Sequence, residues 1–243
     1  APAFGVPAAG RRAPVPPARQ LRDRYVLEIA PPAQSAPGVY DLVVSHAGQS
    51  ATQADALNYA AVGANRADVM LILDRSGSMS GAPLTAAKGA ATQFVGLMQT
   101  GDAVGVGSYD DTAQLNYPLT PISDEAIKTI VAGNLTSIGA GMVTGRDQLL
   151  SRGASEHAWA IVLLSDGQQN AAPWVDDVLP TITATKIKLF PTGLGNVDEP
   201  LMSRMAQETG GSYYYAPDPT GLARIYNSIA GEVAGRQTLY SRT

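Results

Sequence analysis

The sequence predicts an α/β protein, a doubly wound, mostly parallel sheet flanked by helices, with a small β-sandwich-like module attached. Three observations carry this. Two apolar runs, Val69-Met70-Leu71-Ile72-Leu73 and Ala160-Ile161-Val162-Leu163-Leu164, show no polar alternation and each leads into a carboxylate; such strands suit the middle of a parallel sheet covered on both faces. Around them, strand-like runs alternate with segments of helical periodicity, which implies parallel strands joined by right-handed crossovers. Ahead of them, residues 20–65 hold only short β-like runs.

Composition narrows the classes of function. At 243 residues the chain can bury one good core and a smaller module. A net charge of −4 argues against nucleic acid as a partner. Cysteine is absent, which excludes disulfide frameworks, thiolate metal sites and cysteine nucleophiles. No apolar run approaches the roughly 18 residues of a transmembrane segment. The chain begins at Ala1 without initiator Met or signal-like stretch and reads as a processed piece of a larger surface protein.

Residues 1–19 are rich in Pro and Ala and predict a linker or strap. In residues 20–65, β-like runs at 25–29, 39–44 and 57–59 are punctuated by Pro37-Gly38 and Gly48-Gln49-Ser50. These runs resemble the closing strands of an Ig-like or TIG-like sandwich. Three strands are too few to close one, so the tail, 236–243, is a candidate return strand. The main domain is expected over 66–235. After its first strand, Pro83 suits a helix's first turn, and Leu84, Ala87, Ala91, Phe94, Val95 and Met98 recur at helical spacing until Gly101. A strand at 103–109, a turn at Asp110-Asp111 and an antiparallel edge at 112–117 follow. Ser123 then caps a short helix carrying Ile127, Ile130 and Val131. Residues 173–185 are helical with Pro180 as an interruption. A strand at 187–190 precedes a helix opened by Asp198 and closed by Gly210-Gly211. The last strand is 212–215, where alternation explains Tyr213-Tyr214-Tyr215. A final helix from Asp218-Pro219 lines up Leu222, Ile225, Tyr226, Ile229 and Val233.

The chemistry concentrates after the first apolar run. Asp74, Ser76 and Ser78 form D-x-S-x-S on a Gly-containing loop, at the strand end where ligand sites of such sheets lie. Carboxylate and hydroxyl oxygens at this spacing can converge on one small cation, and they favour Mg²⁺, Mn²⁺ or Ca²⁺ over zinc. The same spacing also fits a plain polar turn. The string Leu73-Asp74-Arg75-Ser76-Gly77-Ser78-Met79 resembles the metal-ion-dependent adhesion site (MIDAS) of the von Willebrand factor A family. Leu135-Thr136-Ser137-Ile138-Gly139-Ala140-Gly141-Met142 resembles that family's T-x-I-G-x-G-L, with Asn134-Leu135 where the family usually has glycines. Ser165-Asp166-Gly167, closing the second apolar run, resembles its "LLTDG", with Ser165 for the usual Thr. The resemblance implies metal ligation by Asp74, Ser76, Ser78, Thr136 and Asp166, the last directly or through water. Taken singly, Thr136-Ser137 also fits a helix N-cap and Asp166-Gly167 an ordinary turn.

The resemblance covers about 170 residues and is nearest to bacterial A-domain proteins and calcium-activated chloride channel regulators. It implies a non-enzymatic, metal-dependent adhesion module, secreted or at the cell surface, whose cation takes an Asp or Glu from a protein ligand. Two alternatives stand beside it: an intracellular subunit docking on an AAA+ ATPase, and a metal-assisted hydrolase. Against the hydrolase, His46 and His157 are isolated, and G-x-S-x-G, P-loop and HExxH motifs are missing. Gly105 to Ser108, "GVGS", falls inside a strand. Asp110-Asp111 reads as a turn that also reaches the site's rim, and Arg75 holds a variable position of the motif.

Overall fold

The computed structural model describes residues 3–5, 19–21, 24–26, 38–46, 48–59, 66–121 and 125–233. The chain divides into two units, Ala1–Ala64 with Arg236–Thr243 and Asn65–Gly235.

In the first unit, strands β1 (Ala3–Gly5), β4 (Gly38–His46) and β5 (Gln49–Tyr59) form an antiparallel sheet in the order β1-β4-β5, while β2 (Arg19–Leu21) pairs with β3 (Arg24–Val26). Two expectations need correction. Residues 1–19 are not wholly a strap, since Ala3–Gly5 pairs with β4, Phe4 opposite Val44. An edge strand offers backbone donors and acceptors whatever the hydrophobicity of the segment that joins it, so composition could not signal this pairing. The strand expected at 57–59 runs from Gln49, because ladder hydrogen bonds carry its polar half, Gln49 to Gln53, along β4. The tail at 236–243, with its expected return strand, lies outside the described residues.

The second unit is the predicted doubly wound domain. Its strands are β6 (Ala67–Asp74), β7 (Ala103–Tyr109), β8 (Ala113–Pro121), β9 (Ala158–Ser165), β10 (Lys188–Leu194) and β11 (Tyr214–Ala216). They form one sheet in the order β11-β10-β9-β6-β7-β8, parallel except for β8 at the edge. Every residue of β6 is buried. Its side chains alternate between two cores, as strand geometry requires. Val69, Leu71 and Leu73 pack with the apolar faces of α1 (Ala82–Leu97) and α6 (Leu222–Val233). Met70 and Ile72 pack with α3 (Ile138–Arg152), α4 (Val175–Thr183) and α5 (Glu199–Thr209). Removing residues 69–73 from water contributes on the order of 10 kcal/mol before the chain's entropy is set against it.

Helix ends follow local chemistry. Pro occupies the first turn of α1, and Asp198 caps α5 by accepting from the Leu201 N–H at 3.0 Å. Gly210 ends α5 in the left-handed region at φ 71°. Pro180 sits inside α4, which begins at Val175 rather than 173. The short helix α2 spans only Glu125–Lys128; Ile127 within it and Ile130 just beyond it are buried, while Val131 is 69% exposed. Ser123, its expected cap, lies outside the described residues. Tyr213 and Tyr214 pack against opposite cores, the alternation expected at an edge.

Candidate metal centre

The sheet places its chemistry where β6 and β9 end side by side, Leu73 opposite Leu164. Asp74, the last residue of β6, is fully buried. Its Oδ1 accepts from the backbone N–H of Ser76 at 2.8 Å, a bond that turns the chain sharply after the strand. Its Oδ2 accepts from the Ser165 hydroxyl at 2.9 Å, so the residue before Asp166 ties the two strand ends together. Beyond the turn, the Ser76 and Ser78 hydroxyl oxygens are 3.1 Å apart, and Ser78 donates to Asp166 Oδ1 at 2.8 Å. Asp74, Ser76, Ser78 and Asp166 therefore form one row of oxygen atoms, in which Asp166 meets Ser78 from 88 positions further along the chain.

Thr136 is held by its backbone. Its N–H donates to Asn170 Oδ1 at 2.8 Å, and its carbonyl accepts from the N–H groups of Asn170 at 2.9 Å and Ala171 at 3.3 Å. The Thr136 loop is thereby fastened to the segment that follows Asp166. On its other side, the Gly77 N–H donates to the Asn134 carbonyl at 2.9 Å, joining it to the D-x-S-x-S loop. The N-cap of α3 is Ser137, which accepts from the Ala140 N–H at 3.3 Å. This leaves Thr136, itself buried, outside the capping role. Gly139 permits the loop contact, because a Cβ there would lie 2.2 Å from the Pro173 carbonyl oxygen.

A clamp that the sequence left as a turn and a variable position holds the same loops. Arg75 Nη2 donates to Asp110 Oδ1 at 2.8 Å, and both side chains are largely buried. The Arg75 N–H donates to the Tyr109 carbonyl and the Ser137 N–H to the Asp110 carbonyl, at 2.8 and 2.6 Å. Gly133 lies so close that a Cβ would meet Asp110 Oδ2 at 2.0 Å. Burial opposes ionisation of Asp110, yet the Thr112 N–H, Asp111 and Arg75 outweigh it and hold the carboxyl below its usual range. The spacing Asp110-Asp111-Thr112, an Asx-turn pattern, was the available signal for the acceptor, since Thr112 donates to Asp110 Oδ1 from its backbone at 3.0 Å. Replacing Asp110 by Ala should lower stability by about 2 kcal/mol through the unpaired guanidinium and weaken divalent-ion binding by about tenfold. Urea unfolding and Mg²⁺ calorimetry check this. Undiminished affinity would limit the pair to a folding role.

The row of oxygens suits a cation. Burial, with Asp166 adding to it, pushes the Asp74 carboxyl up to about 6 despite its hydrogen bonds. Asp166 is raised as well, again by burial, partly offset by Ser78. Among the described residues no basic side chain pairs with either carboxylate, because Arg75 is turned to Asp110. Two carboxylates and neighbouring hydroxyls, all hard oxygen donors, fit Mg²⁺, Mn²⁺ or Ca²⁺. His157 is engaged at the opposite end of the sheet, its Nδ1 2.8 Å from Asp68 Oδ1.

Comparison with known proteins identifies the family of the second unit. The sequence profile of the von Willebrand factor type A domain matches residues 68–228, well over half of the 243 residues, and the chain belongs to that family. It is 27% identical over 172 residues to calcium-activated chloride channel regulator 1 of Bos taurus, covering 67% of this chain and 19% of that protein. In structure it is similar to a von Willebrand factor type A protein from Catenulispora acidiphila, with TM-score 0.64, 18% identity and coverage of 82% of this chain and 47% of that one. It is also similar to proximal thread matrix protein 1 of the mussel byssus with a zinc-occupied MIDAS motif, at TM-score 0.63, 18% identity and coverage of 70% and 46%. This chain thus spans less than a fifth of the bovine relative and less than half of either structural neighbour. No helix among the described residues is long and apolar enough to cross a membrane.

Proposed function

We propose that this chain is a non-catalytic adhesion or interaction module that acts outside the cytoplasm and binds a protein ligand through a divalent cation. The observation that carries the reading is the row from the buried Asp74 through Ser76 and Ser78 to Asp166, short of positive charge at the meeting of two strand ends. Asp74 and Asp166 supply the charge that holds the ion, with Ser76, Ser78 and Thr136 as neutral donors. A bound Mg²⁺, or Mn²⁺ or Ca²⁺ in its place, would satisfy the carboxylates and keep net positive character for an external Asp or Glu. The mussel protein, whose site holds zinc, supports a cation at this place in the fold, and its thread-matrix origin supports an extracellular role. His157, held by Asp68 away from the row, supports the non-catalytic reading, since a general base must lie within hydrogen-bond reach of its proton.

The test is capture of a ligand from the native surroundings by the full chain, in Mg²⁺ and in EDTA. The ligand should be retained in Mg²⁺, released by EDTA, and weakened comparably when its own Asp or Glu is changed to the amide. Full-strength retention in EDTA, by protein shown folded by circular dichroism, would place the interface elsewhere.

A further inference from the structure

One buried side chain joins the elements that carry the candidate ligands. Tyr109, the last residue of β7, is fully buried, and its register partner on β6 is Asp74. Its hydroxyl donates to the Leu164 carbonyl of β9 at 2.8 Å. In the sheet, β6 lies between β7 and β9. The side chain therefore crosses two strand spacings, about 9.5 Å, and passes the end of β6 to reach the residue next to Ser165. It does so on the face that also holds Met70 and Ile72, the face to which alternation along β6 assigns Asp74.

Two further attachments use the ring and the backbone. A Cβ at Gly141, near the start of α3, would lie 2.7 Å from Tyr109 Cδ1 and 2.8 Å from Ile72 Cγ2. Glycine thus lets the helix that follows Thr136 settle onto the ring. The Tyr109 carbonyl accepts from the Arg75 N–H at 2.8 Å, inside the D-x-S-x-S loop. Three separate elements meet one residue: the Asp74 to Ser78 loop at its carbonyl, the strand leading to Asp166 at its hydroxyl, and the helix behind Thr136 at its ring. Burial first, and then the Asp74 charge, raise the hydroxyl well above its ordinary value, so it stays a neutral donor.

A core tyrosine need not be tied in this way. Tyr226 is also fully buried, edge-on to Phe94 with ring centroids 6.1 Å apart, yet its hydroxyl has no partner among the described residues. Phenylalanine would fill the same space at position 109, so packing alone does not account for the hydroxyl there.

We infer that Tyr109 is a positioning residue for the cation: it fixes the separation of the three ligand-bearing elements, and with it the size of ion around which their oxygens close. The inference rests on the metal-dependent reading above and adds a determinant of ion choice outside the ligand set. Ligand groups must be held within about 0.5 Å of their working geometry, and ions differ in how much departure they tolerate. Mg²⁺ demands near-ideal octahedral ligands at about 2.0–2.1 Å, whereas Ca²⁺ accepts looser arrangements at about 2.3–2.6 Å. Loosening the crossbar therefore weakens Mg²⁺ more than Ca²⁺.

The test is calorimetry of the full chain with Mg²⁺ and with Ca²⁺, before and after Tyr109→Phe, which keeps the ring and deletes the hydroxyl. Mg²⁺ affinity should fall about tenfold and Ca²⁺ affinity by less than about threefold, so that their ratio shifts towards Ca²⁺. Gly141→Ala, whose Cβ displaces the ring and leaves the hydroxyl in place, should shift the ratio in the same direction. Tyr226→Phe should leave both affinities unchanged. Circular dichroism and urea unfolding in EDTA establish that each variant is folded under the assay conditions. A purely structural role would lower stability without moving the ratio. An unchanged ratio in folded Tyr109→Phe, or in folded Gly141→Ala should Tyr109→Phe not fold, overturns the inference and leaves the metal reading standing. A shift of equal size in Tyr226→Phe does the same. Failure of the unchanged protein to bind either ion overturns the metal reading and this inference with it.

Discussion

Replacing Asp74 by Asn is expected to reduce divalent-ion affinity by roughly 100-fold or more, since even groups that merely orient metal ligands are worth about 10- to 100-fold. The same change should stabilise the metal-free protein at neutral pH. Asp74 is fully buried with no basic partner among the described residues, and burial raises its carboxyl from 3.8 to about 6. Holding it ionised at pH 7.5 in the folded state therefore costs about 3 kcal/mol relative to the unfolded chain. The amide removes that cost and keeps the geometry. Its oxygen can accept from the Ser76 N–H as Oδ1 does now, and its NH₂ can donate to Ser165, whose hydroxyl has the Gly167 carbonyl 3.3 Å away as an alternative acceptor. Urea unfolding in EDTA and Mg²⁺ calorimetry read the two effects separately. Affinity within tenfold of the unchanged protein would remove Asp74 from the ligand set. Metal-free stability equal to or below that of the unchanged protein would show that the carboxylate is not electrostatically strained.

The opposite signs of those two effects explain how much of the site was legible in the sequence. A residue retained against stability is fixed by chemistry, and such residues keep their local spacing: Asp74, Ser76 and Ser78 lie within five positions of one another at the end of an apolar run. The same holds for the parallel sheet, because strands buried on both faces leave uninterrupted apolar runs. What local pattern could not supply was the partner of each group. Ser165, the last residue of β9, tethers Asp74, and Asn170 fastens Thr136, yet nothing in the local pattern marks either as a partner. Arg75 and Asp110 are separated by 35 positions, and only the register of β6 against β7 makes them neighbours. Strand β1 was invisible for a related reason, since backbone pairing to an edge asks little of side chains. Val131 and Trp174 looked like helix material until Val131 proved to lie beyond α2 and Trp174 to sit at the start of α4.

Metal affinity should depend on pH in a direction opposite to the stability of the metal-free protein. Because the folded-state value of Asp74, about 6, exceeds the unfolded 3.8, the group's stabilising contribution is complete below about pH 3.8 and is lost as pH rises through about 6. Asp166 is shifted the same way. Asp110, Glu156 and Asp218 are shifted down and so work in the opposite direction, losing their contribution as pH falls. Subtracting the profile of Asp74→Asn isolates the Asp74 part, which should show a decline of about 3 kcal/mol between pH 3 and 7.5 in EDTA. Cation binding requires the ionised carboxylate, so its affinity should rise with pH over the same interval. Mg²⁺ should bind about tenfold more weakly at pH 5 than at pH 7, one pH unit below the carboxyl's midpoint being one decade. At a free concentration about 100 times Kd, Mg²⁺ restores about 2.7 kcal/mol. Melting curves with Mg²⁺ and with EDTA should therefore converge near pH 4 and separate above pH 6. Calorimetry in two buffers of different ionisation enthalpy should detect proton release near pH 5.5 and little at pH 8. Affinity that stays constant from pH 5 to 7.5 would mean that neither carboxylate of the row is protonated before the ion arrives, and the electrostatic account of the row would fail with it.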